Sequence, residues 1–117
     1  MTTVPITAIH WLLLAGAILL EVAGTVSLRL SDGFTKTGYV IATLSLYGFS
    51  FWLLAKAIKA IPLSVSYAIW SGAGTVLIAA IGVAVFGELM TALKLVFITL
   101  IVVGVVGLQL MHGPAGS

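Results

Sequence analysis

The chain has 117 residues, of which 62% are hydrophobic and 7% are charged, and its mean hydropathy is +1.30. Soluble domains carry about 25% charged residues, so this composition could not cover a water-soluble fold and predicts an integral membrane protein. The small net charge of +2 argues against a nucleic-acid partner, and the absence of cysteine excludes disulfides, thiolate chemistry and iron–sulfur centres.

The chain is long enough for about four spans of roughly 20 residues each. We predict a single transmembrane domain over residues 1–117, with helices at about 8–30, 38–58, 64–86 and 92–111. Each break between them carries a residue that disfavours helix: Gly33, Pro62 and Gly87. The predicted fold class is all-α, with four transmembrane helices.

Positive charges are balanced between the two sides of this predicted bundle. The side that holds both termini would carry Lys56, Lys59 and the α-amino group. The other side would carry Arg29, Lys36 and Lys94. The positive-inside rule sets orientation only where one side carries more positive charge than the other. The charges therefore fit either a weak preference for one orientation or dual topology, in which one chain inserts both ways. Two opposed copies would supply the inverted symmetry that many transporters build around a midplane site.

Glu21 is the most informative residue of the chain. It lies roughly 15 Å from either end of the first apolar run, at the midplane of a hydrocarbon layer roughly 30 Å thick. A carboxylate there costs about 3 kcal/mol on insertion scales. The other two acids, Asp32 and Glu88, lie beside predicted loops, and Lys56 lies near a helix end. Without a basic partner at this depth, a functional carboxylate is favoured over a protonated one sealed in a helix contact.

Aromatic residues are predicted near this carboxylate. Tyr47 and Ser50 share one face of the second helix, and Tyr67 and Trp70 share one face of the third. Considered alone, such rings are better explained by packing against neighbouring helices. Beside Glu21, however, their faces suit a lipophilic cation, because the ring quadrupole attracts positive charge.

Glycines in the third and fourth helices permit close approach. Gly72 and Gly74 indicate either close helix packing or a bend in the third helix that changes during transport. Gly104, three residues before Gly107, indicates a tight helix contact, which we assign to a dimer interface. No metal-ligand spacing and no Ser, His and Asp catalytic pattern occurs, so we predict neither an enzyme nor a metal or cofactor site.

Longer motifs resemble the small multidrug resistance transporters. They lie at residues 16–25, 31–35, 50–54 and 61–75, and include Glu-Val-Ala-Gly-Thr and Tyr-Ala-Ile-Trp-Ser-Gly. The resemblance covers nearly the whole chain. It implies four helices in the bacterial inner membrane, an antiparallel dimer with a shared central pocket, and proton-coupled export of cations.

The resemblance also implies roles for individual residues. Glu21 matches the family's proton and substrate carboxylate. Tyr47, Tyr67 and Trp70 match its pocket aromatics, and Trp11 occupies a pocket position in the first helix.

The motif around Glu21 resembles the quaternary-ammonium branch, since guanidinium exporters usually carry Trp where this chain has Gly24. Two residues depart from the family pattern. Phe97 replaces a small residue expected in the dimer contact, and Lys56 adds a charge near the end of the second helix. The stretch Ile-Pro-Leu-Ser-Val-Ser-Tyr resembles members that act as paired subunits, so a homodimer and a pair with a homologue both stay open.

Together these features predict a proton-coupled antiporter that exports lipophilic, aromatic and quaternary ammonium cations and confers resistance to toxic compounds. Protons and cations would compete for Glu21. The alternatives are export of guanidinium or polyamines by the same fold, a proton-conducting ring subunit, and a purely structural membrane protein in which Glu21→Leu would be harmless.

Overall fold

The computed structural model describes residues 5–111. The α-amino group and both ends of the predicted 1–117 domain lie outside this range. Within it, the regular elements are four helices: α1 Ala8–Leu30, α2 Thr37–Ala57, α3 Leu63–Phe86 and α4 Ala92–Met111. Each is long and apolar enough to cross a membrane. The predicted all-α protein with four transmembrane helices is therefore confirmed, and the antiparallel dimer stays a prediction.

Local interactions at the turns explain where the helices end. Ser31 is fully buried after α1, where its Oγ donates to the Leu28 carbonyl at 2.7 Å and accepts from the Phe34 N–H at 3.1 Å. Pro62 precedes α3, where its fixed φ suits a helix start. Gly87 ends α3 with a φ of 68°, a left-handed conformation that glycine adopts without strain.

The first helix is the centre of the bundle. It packs along α2 and also contacts α3, which in turn packs against α4. The buried core includes Leu14, Ile18 and Val22 of α1 and Ile61 of the α2–α3 turn. In contrast, α4 contributes no buried residue within the described chain. Its apolar surface fits a lipid environment or a contact with another membrane helix.

Candidate functional site

A cleft of about 620 Å³ lies among the helices and contains Glu21. Tyr47, Trp70 and Gly74 line it as well. Ser71 and Thr75 of α3 also line the cleft, and both use their hydroxyls to bond carbonyls of their own helix. The side chain of Glu21 is therefore placed against groups from α2 and α3, although α1 alone supplies it.

Glu21 is held by a short chain of hydroxyl groups. Thr25, one turn along α1, donates from Oγ1 to Glu21 Oε2 at 2.5 Å. The Tyr47 hydroxyl lies 2.7 Å from the same Thr25 oxygen. A threonine hydroxyl has a single hydrogen, so Tyr47 must donate to Thr25 when Thr25 donates to the carboxylate. This order of donors connects Tyr47 to Glu21 through Thr25 and so ties α2 to α1.

Two glycines make room for this arrangement. A Cβ atom at Gly24 would lie 2.7 Å from ring carbons of Tyr47. One at Gly74 would lie 2.9 Å from Glu21 Oε1. Gly24 therefore admits the tyrosine ring against α1, and Gly74 admits the carboxylate against α3.

Three aromatic rings form a continuous wall beside the carboxylate. The Tyr47 and Phe51 ring centroids are 6.3 Å apart, and Phe51 and Trp70 are 6.1 Å apart. Both separations lie within the range of favourable tilted ring pairs. The wall offers ring faces and apolar area to a ligand that pairs with the carboxylate.

Three residues that the sequence assigned to the pocket lie elsewhere in the protomer. Ser50 is fully buried and donates to the Ala17 carbonyl at 2.6 Å, so it joins α2 to α1. Trp11 packs against the buried core. Tyr67 is 60% exposed, although its ring centroid is 5.7 Å from that of Trp70. None of the three lines the cleft, and their pocket roles stay predictions.

The two tryptophans share one further property. The indole Nε1 atoms of Trp11 and Trp70 are both buried, and neither has a hydrogen-bond partner within residues 5–111. A buried indole N–H without an acceptor is uncommon, since most tyrosine and tryptophan polar groups find a partner.

The remaining predicted glycines differ in their surroundings. A Cβ atom at Gly72 would lie 2.5 Å from Val105 Cγ2, so Gly72 allows α4 to approach α3. A Cβ atom at Gly104 would meet nothing within 4 Å, and Gly104 lies on the exposed surface of α4. The helix α3 runs unbroken through both Gly72 and Gly74. Their predicted role as a bend and the dimer role of Gly104 stay predictions.

Charged residues lie at one end of the cleft, where Glu88 and Lys94 line it and Arg29, outside the lining, contacts Glu88. We call these three residues the mouth. The Glu88 carboxylate lies 3.8 Å from Arg29 Nη1 and 3.9 Å from Lys94 Nζ. Glu88 and Lys94 line the same cleft as Glu21.

Sequence reasoning missed several of these residues as parts of the site. It gave Thr25 no role, placed Glu88 only beside a predicted loop, and counted Lys94 only among the charges that bear on orientation. The i, i+4 spacing of Glu21 and Thr25 is a signal that could have found the first contact. Among the described residues, no three His, Asp or Glu side chains gather closely enough to hold a metal.

Known proteins resemble this chain over most of its length. The model of the Small Multidrug Resistance protein family matches residues 9–101, which include the cleft from Glu21 to Lys94. The nicotine metabolites export pump subunit NepB of Paenarthrobacter nicotinovorans is 47% identical over 86% of this chain, and the match covers 60% of NepB.

The match to this chain covers almost the whole length of two further relatives. The quaternary ammonium compound-resistance protein QacE of Escherichia coli is 43% identical over 86% of this chain and 92% of its own length. A guanidinium exporter of Proteus vulgaris is 39% identical over 86% of this chain and 96% of its own length.

Proposed function

This chain belongs to the Small Multidrug Resistance family and groups with its quaternary-ammonium branch, and we propose from this premise that it exports lipophilic and quaternary ammonium cations in exchange for protons. Family membership makes it a small multi-pass efflux transporter of the bacterial inner membrane and not an enzyme. The proton coupling, the range of cations and the pairing of subunits belong to the proposal.

The observation that carries the proposal is the setting of the Glu21 carboxylate. It lies in a transmembrane helix, beside the wall of Tyr47, Phe51 and Trp70. A single carboxylate there can hold a proton or pair with an organic cation, but a protonated carboxyl no longer attracts the cation. Binding of one ligand therefore requires release of the other, which is the basis of exchange.

Each neighbour of the carboxylate then has a defined part. The Thr25 hydroxyl donates to Glu21 and stabilises it as an anion after the proton leaves. The ring faces attract the positive centre of the cation, an interaction worth about 0.5–2 kcal/mol, and cover its apolar substituents. Gly74 leaves the α3 side of the carboxylate open to close approach.

We propose that two copies in opposite orientations form the transporter. The balanced charges and the uncovered surface of α4 support this arrangement. The exposed ring of Tyr67 would then be available to a pocket shared between protomers. Because NepB is described as a subunit, pairing with a homologous chain is the alternative assembly.

Guanidinium or polyamine export is the second candidate, since a guanidinium exporter is among the relatives. Position 24 separates the two candidates. By the family resemblance, guanidinium exporters usually carry Trp there, whereas here the Tyr47 ring occupies the space beside Gly24. The aromatic wall also suits bulky lipophilic cations better than a small polar one. Membership in a transporter family argues against the proton-conducting ring subunit.

Transport by purified protein in liposomes with an imposed pH gradient tests the proposal. We expect proton-driven uptake of ethidium and benzalkonium, with little uptake of guanidinium or polyamines. Glu21→Gln removes the titratable group while keeping its size, so uptake should fall to that of empty liposomes. Continued proton-driven uptake by this variant would refute the mechanism.

Glu21→Asp is the matched control because it keeps a carboxylate. Aspartic acid is shorter by one methylene and intrinsically the stronger acid by about 0.4 pK units in model peptides. We expect reduced uptake with a shifted pH profile. A profile identical to that of the wild type would contradict direct competition between protons and cations.

A further inference from the structure

The mouth of the cleft combines charges from three separate segments. Arg29 lies in the last turn of α1, Glu88 in the α3–α4 loop, and Lys94 in the first turn of α4. Glu88 lies between the two basic groups, at 3.8 Å and 3.9 Å from them. These side chains are partly exposed, at 61% for Arg29, 44% for Glu88 and 40% for Lys94.

Glu88 of the mouth and the Glu21 carboxylate contact α3 at two different positions along its length. Glu21 Oε1 packs against Gly74, and the Glu88 carboxylate packs against Gly82, where a Cβ atom would lie 2.5 Å from its Oε1. Eight residues of α3 separate these glycines, which corresponds to about 12 Å at 1.5 Å per residue. A cation that enters from this end must therefore pass the mouth before it reaches Glu21.

The charge at the mouth is unfavourable for a cation transporter. Arg29 and Lys94 contribute two positive charges, and Glu88 compensates only one of them. Arg29 is also directed onto the Phe86 ring, 4.9 Å from its centroid, whereas Lys94 lines the cleft itself. An entering cation thus meets Lys94 most directly, and Glu88 is the carboxylate that offsets it.

The ion pairs themselves give a weak reason for this cluster. Exposed pairs with separations near 4 Å stabilise a protein little, because solvent screens them and the side chains lose freedom. The effect of charge on the entry of an ion is larger, since fields at the opening of a low-dielectric cleft change association rates by about 10 to 1,000-fold.

We propose that Glu88 determines how readily cations enter the cleft from this face, and that Lys94 opposes it. This inference rests on the proposed export of cations. Neutralising Glu88 leaves the mouth with a net charge of +2, and neutralising Lys94 leaves it with a net charge of zero. The two substitutions should therefore change the KM for a cation in opposite directions, with little effect on kcat.

Ethidium uptake into proteoliposomes at low ionic strength tests this inference. We expect Glu88→Gln to raise the KM about three- to tenfold and Lys94→Gln to lower it, on the scale of steering effects in charged clefts. The double variant should return close to the wild-type KM. Each shift should shrink at 1 M salt, where the Debye length is about 3 Å.

The opposite signs separate an electrostatic role from a structural one. If Glu88 only tied the helix ends together, both single variants would lower thermal stability and kcat. The double variant would then not regain the wild-type stability or kcat. An unchanged KM in Glu88→Gln, or shifts of the same sign in both variants, would overturn this inference while uptake still depends on Glu21. Uptake that persists in Glu21→Gln would instead refute the proposed exchange.

Discussion

Replacing Gly74 by alanine should weaken cation binding without weakening the fold. The new Cβ would lie 2.9 Å from Glu21 Oε1, whereas ordinary van der Waals contact begins at 3.4 Å. The carboxylate must therefore retreat by about half an ångström or leave its preferred rotamer, which costs about 0.5–1.5 kcal/mol. Since 1.4 kcal/mol is a factor of ten in affinity, we expect binding about two- to tenfold weaker.

Equilibrium binding of a lipophilic cation to protein in mild detergent measures this effect, with thermal unfolding as the parallel assay. Stability should be retained, because the group that moves is the end of a flexible side chain and alanine is the better helix former. Two matched variants complete the test. Gly48→Ala meets nothing within 4 Å and should behave as wild type.

Gly72→Ala should have the opposite effect to Gly74→Ala: it should lower the stability of the fold while cation binding is kept. Its Cβ would meet Val105 Cγ2 at 2.5 Å, and a branched side chain cannot yield without moving α4. Overpacking of this kind costs about 1–3 kcal/mol of stability. If Gly74→Ala binds the cation as tightly as Gly48→Ala does, the close contact between Gly74 and the Glu21 carboxylate does not affect cation binding and the prediction is wrong.

Two further variants test the hydrogen bonds around the site. Thr25→Val removes the hydroxyl that links Tyr47 to the carboxylate, at a cost of about 1 kcal/mol, so cation binding in the same assay should weaken about fivefold; the buried control Thr43→Val loses only a bond within α2, and equal binding by both variants would count against the hydroxyl chain. Ser50→Ala removes the bond to the Ala17 carbonyl and should lower unfolding stability by about 0.5–1.5 kcal/mol in mixed micelles while affinity is kept; lost affinity with unchanged stability would instead place Ser50 in the substrate pocket, as its sequence position predicted.

The number and kind of helices followed from local properties of the chain. Length, hydropathy and turn residues act within a single segment, so they predicted four spans without knowledge of how those spans pack. The depth of Glu21 followed in the same way, because position along a span depends only on the rise per residue. The cost of a carboxylate at that depth made it a site candidate before any neighbour was known.

The rotation of each helix about its own axis did not follow from the sequence in this way. Tyr47 and Ser50 are three residues apart and were assigned to one pocket. Three steps of about 100° place them about 60° apart around α2, and the structure directs Tyr47 to the cleft and Ser50 to α1. A soluble helix reveals its buried face by polarity, but these helices are apolar all round, so periodicity could not fix their rotation.

The sequence by itself determined an all-α membrane protein with one acidic residue at midspan, because hydrophobicity and length decide what a segment can do in a bilayer. Only the tertiary structure decided that Thr25 bridges Tyr47 and Glu21, and that Glu88 lines the same cleft as Glu21. Both depend on the rotation and separation of neighbouring helices. Small residues such as Gly24 and Gly74 set that geometry by permitting close approach, and their effect appears only once the opposing helix is in place.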